Sequence, residues 1–374
     1  MIFSRSLIVL AMVLVLAACS SSGKRPQPVE LGAEPQALKV ESSWRASLGA
    51  VGFSLQIRVV GEQLALASSD GTVLVLNAQN GSDVWRQSVG TPLSAGVGFD
   101  GRWASVITRD NELVTLEQGR ILWRQRLNAQ GFTPPLVAGN RVFVLAGDRS
   151  VQAFDAQSGR RLWTQQRAGE PLALRQAGVL EPVGNTLVVG LSGKLVGMDP
   201  LNGSSRWEVP LATPRGTNDI ERLVDLVGPM GRLGNVVCAR AFQAAVGCVD
   251  AARGNLLWSK TANGQVGLTA LADAVYSSEA DGSLLAWRLD NGERIWSGEH
   301  LRWRHLGAPL ATPRALLVPD RSGLLHFVSP KDGSLLARVR FEGGTALAAP
   351  PVLVGSSIVT VSRTGQVQAW RIAD

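Results

Sequence analysis

Reactive side chains are scarce in this chain: three cysteines (Cys19, Cys238 and Cys248) and three histidines (His300, His305 and His326) in 374 residues. No two cysteines are adjacent, and no C-x-x-C-H haem-attachment run occurs. His300 and His305 flank Trp303 with a spacing that makes no metal pair on an extended or irregular segment, and His326 lies within an apolar strand-like run. All three read as structural or surface histidines. The carboxylates mostly occupy turn positions, where Asp caps its own backbone. The inventory therefore points to no catalytic residue, no metal and no cofactor. Cys238 and Cys248 are placed symmetrically about Gln243, the centre of a presumed hairpin. Facing each other in an antiparallel pair they form a stapling disulfide; one residue of register error leaves two buried thiols.

Cys19 belongs to a different chemistry. Arg5 gives a positive n-region, and Leu7 to Ala18 is an apolar run of signal-peptide length, short for a bilayer span. It ends Leu16-Ala17-Ala18-Cys19, which resembles a bacterial lipobox, in which the cysteine is acylated and becomes the new N-terminus. Ser20 follows, with no Asp to signal inner-membrane retention, so the expected address is the periplasmic face of the outer membrane. This reading divides the chain into a signal peptide (1–18), a lipidated Cys19 with a flexible Ser-, Gly- and Pro-rich tether (19–38), and one domain (39–374).

That domain is a repeat. DGTVLVLNAQNGSDVW (Asp70 to Trp85), DRSVQAFDAQSGRRLW (Asp148 to Trp163), SGKLVGMDPLNGSSRW (Ser192 to Trp207), QAAVGCVDAARGNLLW (Gln243 to Trp258) and DGSLLAWRLDNGERIW (Asp281 to Trp296) share one pattern. A shortened copy ends at Trp123, and a seventh carries Ala337 in place of the Trp. Each has a polar turn, an apolar strand, a turn ending in Gly and a last strand bearing the Trp. Four short strands per repeat of about 42 residues, with no helical period, specify an all-β propeller. Counting from Trp44 gives eight blades. The last repeat lacks its final strand, which Glu41 to Leu48 supplies from the N-terminus, closing the ring. Trp44, Trp85, Trp123, Trp163, Trp207, Trp258 and Trp296 are expected to pack between neighbouring blades as structural side chains.

The copies resemble the docking motif of quinoprotein-type propellers, with Ala153 to Gly159 and Trp163 the nearest match. A quinone (PQQ)-dependent dehydrogenase of that class uses carboxylates and an Asn on calcium, a cationic partner for the quinone and often a vicinal Cys pair. The residues above do not supply this set, and a shared fold does not carry an activity. Net charge is +7 with no long Lys/Arg run, which gives nucleic-acid binding little support.

Departures from the repeat mark a candidate binding face. The distance from Trp163 to the next turn glycine, Gly184, and from Trp207 to Gly234, is longer than in the other joints measured. These connections are consecutive and emerge on one face. The first carries Leu172, Leu174 and Arg175; the second carries Asn218 to Asp225. They form either a hot-spot patch or leucines that pin the loop onto the propeller.

The lipobox, the eight-bladed ring, the Leu-x-Leu-Arg loop and the Asp-Ile-Glu-Arg-Leu-x-Asp loop together resemble the BamB family of propeller lipoproteins, over essentially the whole mature chain. The resemblance implies a non-enzymatic scaffold of the outer-membrane β-barrel assembly machinery that binds the POTRA domains of the barrel subunit BamA. Contacts with other lipoproteins of the complex and with unfolded barrel precursors are further expectations. Family contact residues match here at Leu172, Leu174, Arg175 and Asp225; where the family often has a second Asp, this chain has Val227. The competing readings are the dehydrogenase and a general envelope peptide- or glycan-binding propeller that uses its central channel.

Overall fold

Runs of Val, Leu, Ala and Thr between Gly- and Asp-containing turns favour extended backbone, whose ladder groups are satisfied only by neighbouring strands. The computed structural model describes residues 26–167, 173–214, 217–218, 223–344 and 346–373, and among these it contains no helix. The strands form eight four-stranded antiparallel sheets, the blades. Blade 3 shows the pattern, channel strand first: Leu136–Ala138, Arg141–Leu145, Val151–Asp155 and Arg161–Gln165. The second and third strands are buried along most of their length, because each blade is covered on both faces by its neighbours. Outer strands such as Asp83–Ser88 alternate exposed with half-buried positions.

The ring closes as the sequence implies. Val40–Ser47 is the outer strand of blade 8 and pairs antiparallel with Gln366–Ile372, from Val40 opposite Ile372 to Ser47 opposite Gln366. In blade 5, Cys238 and Cys248 stand directly opposite each other with Cα atoms 4.0 Å apart, and their sulfurs are joined.

The blade joint is built from three matched parts. In every blade the register between third and outer strands slips by one residue just before the repeat's Trp position, as between Ala153 and Phe154. This bulge rolls the preceding residue outward, leaving Val84, Leu122, Leu257 and Ile295 exposed, and turns the Trp toward the next blade. There the indole lies on a turn glycine. Trp123 covers Gly159, whose φ of +71° suits glycine and whose Cβ, if present, would sit 2.6 Å from the indole. The indole N–H then donates to the carbonyl three residues before that glycine: Trp44 to Ala78, Trp123 to Ala156, Trp163 to Pro200, Trp207 to Ala251, Trp258 to Leu289 and Trp296 to Pro330, at 2.8–3.1 Å.

Two exceptions follow from the same geometry. Trp85 faces the shortened turn at Gly119, where the indole packs more loosely, and no such hydrogen bond forms. Ala337 stands where a Trp would reach blade 8, whose third and outer strands come from opposite ends of the chain and are joined by no turn. A tryptophan there has nothing to dock on.

The segment expected as a loose tether is laid along the ring over its described part. Val29 N–H donates to Arg302 O at 3.1 Å, and Arg304 Nη1 donates to Val29 O at 3.2 Å. The N–H groups of Ala37 and Leu38 both donate to Leu336 O, while Leu31 packs against the apolar cluster of blades 6 and 7 and Leu38 against that of blades 7 and 8.

Candidate partner-binding site

A chain that winds each blade outward from the channel must return to the channel on one face, so all blade-to-blade connections share that face with the turns between second and third strands. The two long connections lie there side by side. The first runs from the outer strand of blade 3 to Leu180–Val183 of blade 4, and the second from Ser205–Pro210 of blade 4 to Leu226–Leu233 of blade 5.

Asp225 joins them. Its Oδ2 accepts the Leu174 N–H at 2.9 Å, and its Oδ1 accepts Arg149 Nη1 at 2.8 Å. Both side chains of this ion pair are largely enclosed, Arg149 9% and Asp225 15% exposed, in the range where charge-assisted hydrogen bonds hold geometry well. Gly178 and Val227 form a backbone bridge beside them. The first connection is therefore clasped to the second through Asp225, which Arg149 of the blade 3 turn holds in place.

Asp225, expected as a partner contact, has both carboxylate oxygens engaged within the chain, one by the Leu174 N–H and one by Arg149. Val227 is fully buried and presents nothing outward. Arg175 is exposed, and its guanidinium lies 5.3 Å from the ring of Phe132, which comes from the connection between blades 2 and 3. Leu174 is half-buried against the space above Phe132, Leu145 and Leu191. Leu172, Cys19, and residues 219–222 of the second loop lie outside the described residues.

Arg149 and Phe132 were not singled out by the sequence reading, though Arg149 carried a signal. Corresponding turns have Gly71, Gly282 and Gly323 at the left-handed position; blade 3 has Arg149 at φ +64°. Blades 2 and 5 also depart from glycine there, with Asn111 and Gln243 at positive φ, but only blade 3 places a charged side chain at this position.

The channel is crossed. Arg58 and Gln56 at the inner edge of blade 1 reach Glu181 on the inner strand of blade 4, at 3.1 and 2.8 Å. A ligand threaded along the axis would have to break this half-buried ion pair. Among the described residues, no three His, Cys, Asp or Glu side chains are grouped to hold a metal ion.

Residues 69–298 match a family model described as outer membrane protein assembly factor BamB. Proteins of that name from Bordetella pertussis and Burkholderia pseudomallei are each 35% identical to this chain. The alignments cover 97% of this chain and 96% of the first protein, and 96% of each chain for the second. The crystal structure of BamB from Moraxella catarrhalis superposes with a TM-score of 0.80 at 23% identity, over 89% of this chain and all of that one. Quinohemoprotein alcohol dehydrogenase from Comamonas testosteroni shares the fold, with a TM-score of 0.69 at 15% identity, over 89% of this chain and 76% of that one.

Proposed function

Because the chain belongs to the BamB family of outer membrane protein assembly factors, we propose that it serves the outer-membrane assembly complex as a scaffold, docking POTRA domains of the barrel subunit BamA on the loop face of blades 3 to 5. Its work is in assembling outer-membrane proteins, at the outer membrane. In the proposal, acyl chains on Cys19 hold it to the periplasmic side of that membrane, since several chains on one residue anchor stably where one does not.

One observation carries the docking proposal: the Leu174–Arg175 segment is held by a clasp that leaves Arg175 outward and stacked. A side chain already ordered loses little entropy on binding, which favours it as an anchor. The dehydrogenase reading rests on fold likeness alone, and the channel reading meets the Arg58–Glu181 crossing.

The test is binding of the purified mature protein to isolated POTRA domains, with a melting curve for each variant. Arg175→Ala should lose about 2 kcal/mol, roughly thirtyfold in affinity, with an unchanged melting temperature. Asp225→Ala should differ: it leaves Arg149 without its buried partner, so binding and stability should fall together, the latter by roughly 3 kcal/mol. Wild-type affinity in Arg175→Ala would remove the loop from the interface.

A further inference from the structure

Beside the clasped loop lies a cavity of about 420 Å³, open on the loop face and walled by Phe53, Ser54, Arg109, Gln130, Phe132 and Arg175. These residues come from four places in the chain: the entry to blade 1, the blade 2 turn, the connection from blade 2 to 3 and the connection from blade 3 to 4. Two arginines line it and no carboxylate does. Among the described residues neither Arg109 nor Arg175 meets a carboxylate of this chain, unlike Arg149 nearby, which Asp225 neutralises. The backbone of Arg109 is fixed, its N–H donating to Pro92 O at 2.8 Å, while its side chain is exposed. Arg175 is set by its stacking on Phe132.

We propose that this cavity is a carboxylate-binding mouth in which Arg109 and Arg175 together receive an acidic segment of the protein partner. The inference rests on the docking surface above and adds to it a second anchor, two blades away, and the chemistry of what enters. Two guanidinium forks offer paired N–H donors that match carboxylate geometry. Ser54 and Gln130 add neutral hydrogen-bonding groups. The rings of Phe53 and Phe132 supply apolar walls, which suit a carboxylate embedded in a peptide better than a bare inorganic anion. Docking across blades 1 to 4 also gives the surface a width that the two long loops alone lack.

The experiment measures affinity of the mature protein for isolated POTRA domains at several salt concentrations, using wild type, Arg109→Ala, Arg109→Glu and Arg175→Ala. Arg109→Ala should weaken binding roughly tenfold and Arg109→Glu further, with a shallower salt dependence in both and unchanged melting curves. If Arg175→Ala loses binding while both Arg109 variants bind as wild type, the mouth is wrong and the docking surface stands. If wild-type protein binds no POTRA domain, the docking reading itself fails. A parallel arm uses vesicles containing phosphatidylglycerol. Loss of vesicle binding in Arg109→Glu without loss of POTRA binding would assign the mouth to lipid phosphate and overturn the proposal.

Discussion

His326 shows how a histidine in a repeat strand becomes a structural group. Its Nε2–H donates to Asp320 Oδ2 at 3.0 Å, and the same buried carboxylate accepts Arg304 Nε, the Ser322 hydroxyl and the N–H groups of Ser322 and Leu324. Burial alone would push the Asp320 carboxyl up. The hydrogen bonds from His326, Ser322, Arg304 and Leu324 outweigh it and hold the group well below the usual carboxylate range. The sign of the linkage is then fixed: a carboxyl depressed on folding adds stability that is fully present above its unfolded value, about 3.9, and is lost as pH falls below it. Asp320→Asn should therefore destabilise by roughly 3 kcal/mol at neutral pH, where Arg304 and His326 lose their buried partner. The gap to wild type should narrow as pH drops below about 4. Melting curves at pH 7 and pH 3 check this, and an equal gap at both values would show that the carboxylate's charge contributes nothing.

At the level of the strand and its turns, the repeat made the blade count, the closing strand and the turn glycines legible, because each is encoded within one copy of about 42 residues. The bulge before each tryptophan was not legible: it arises from pairing between third and outer strands, and its local signature is an ordinary apolar residue such as Leu122 or Ile295. The connection lengths located the long loops, but not Arg149 or Phe132, which reach Asp225 and Arg175 only because the ring curves. The joint also explains a residue the repeat alone left unexplained, Ala337. Trp123→Ala, at a joint with its turn glycine and carbonyl acceptor, should cost about 3 kcal/mol. Ala337→Trp restores the repeat's consensus yet meets a blade with no turn between its third and outer strands; as Ala337 is 4% exposed, overpacking should cost about 1–3 kcal/mol. Thermal unfolding of the pair decides it. A stabilised Ala337→Trp would mean that the tryptophan does not depend on the turn.

For the whole molecule, what matters is how the ring is held relative to the membrane. Composition made residues 19–38 read as a uniform tether, because Pro, Gly and Ser hide the few side chains that dock. Leu31 packs against the apolar cluster of blades 6 and 7 that includes Tyr276, Leu301 and Leu316, and Val29 is gripped on both sides by the connection between those blades. With the chain fixed from Val29 onward, only residues 19–28 separate the proposed acyl anchor from the ring, a reach of at most about 35 Å. The strap thus halves the leash that composition suggests and brings it off the ring at the loop face, where Arg302 and Arg304 sit, across the ring from Arg175. A short leash raises the effective concentration of that face for a partner embedded in the same membrane. Leu31→Asp should release the strap by placing a charge in an apolar contact, at a local cost of about 1–2 kcal/mol that leaves the blades intact. In limited proteolysis the variant should be cut within residues 29–38 at least several-fold faster than wild type, with the propeller fragment surviving in both. In membranes, a lipidated Leu31→Asp protein should recover less of the barrel subunit at low abundance than wild type does, while the soluble forms bind POTRA domains equally. Identical cleavage rates would mean that the strap is not held, and the argument from leash length would fall with it.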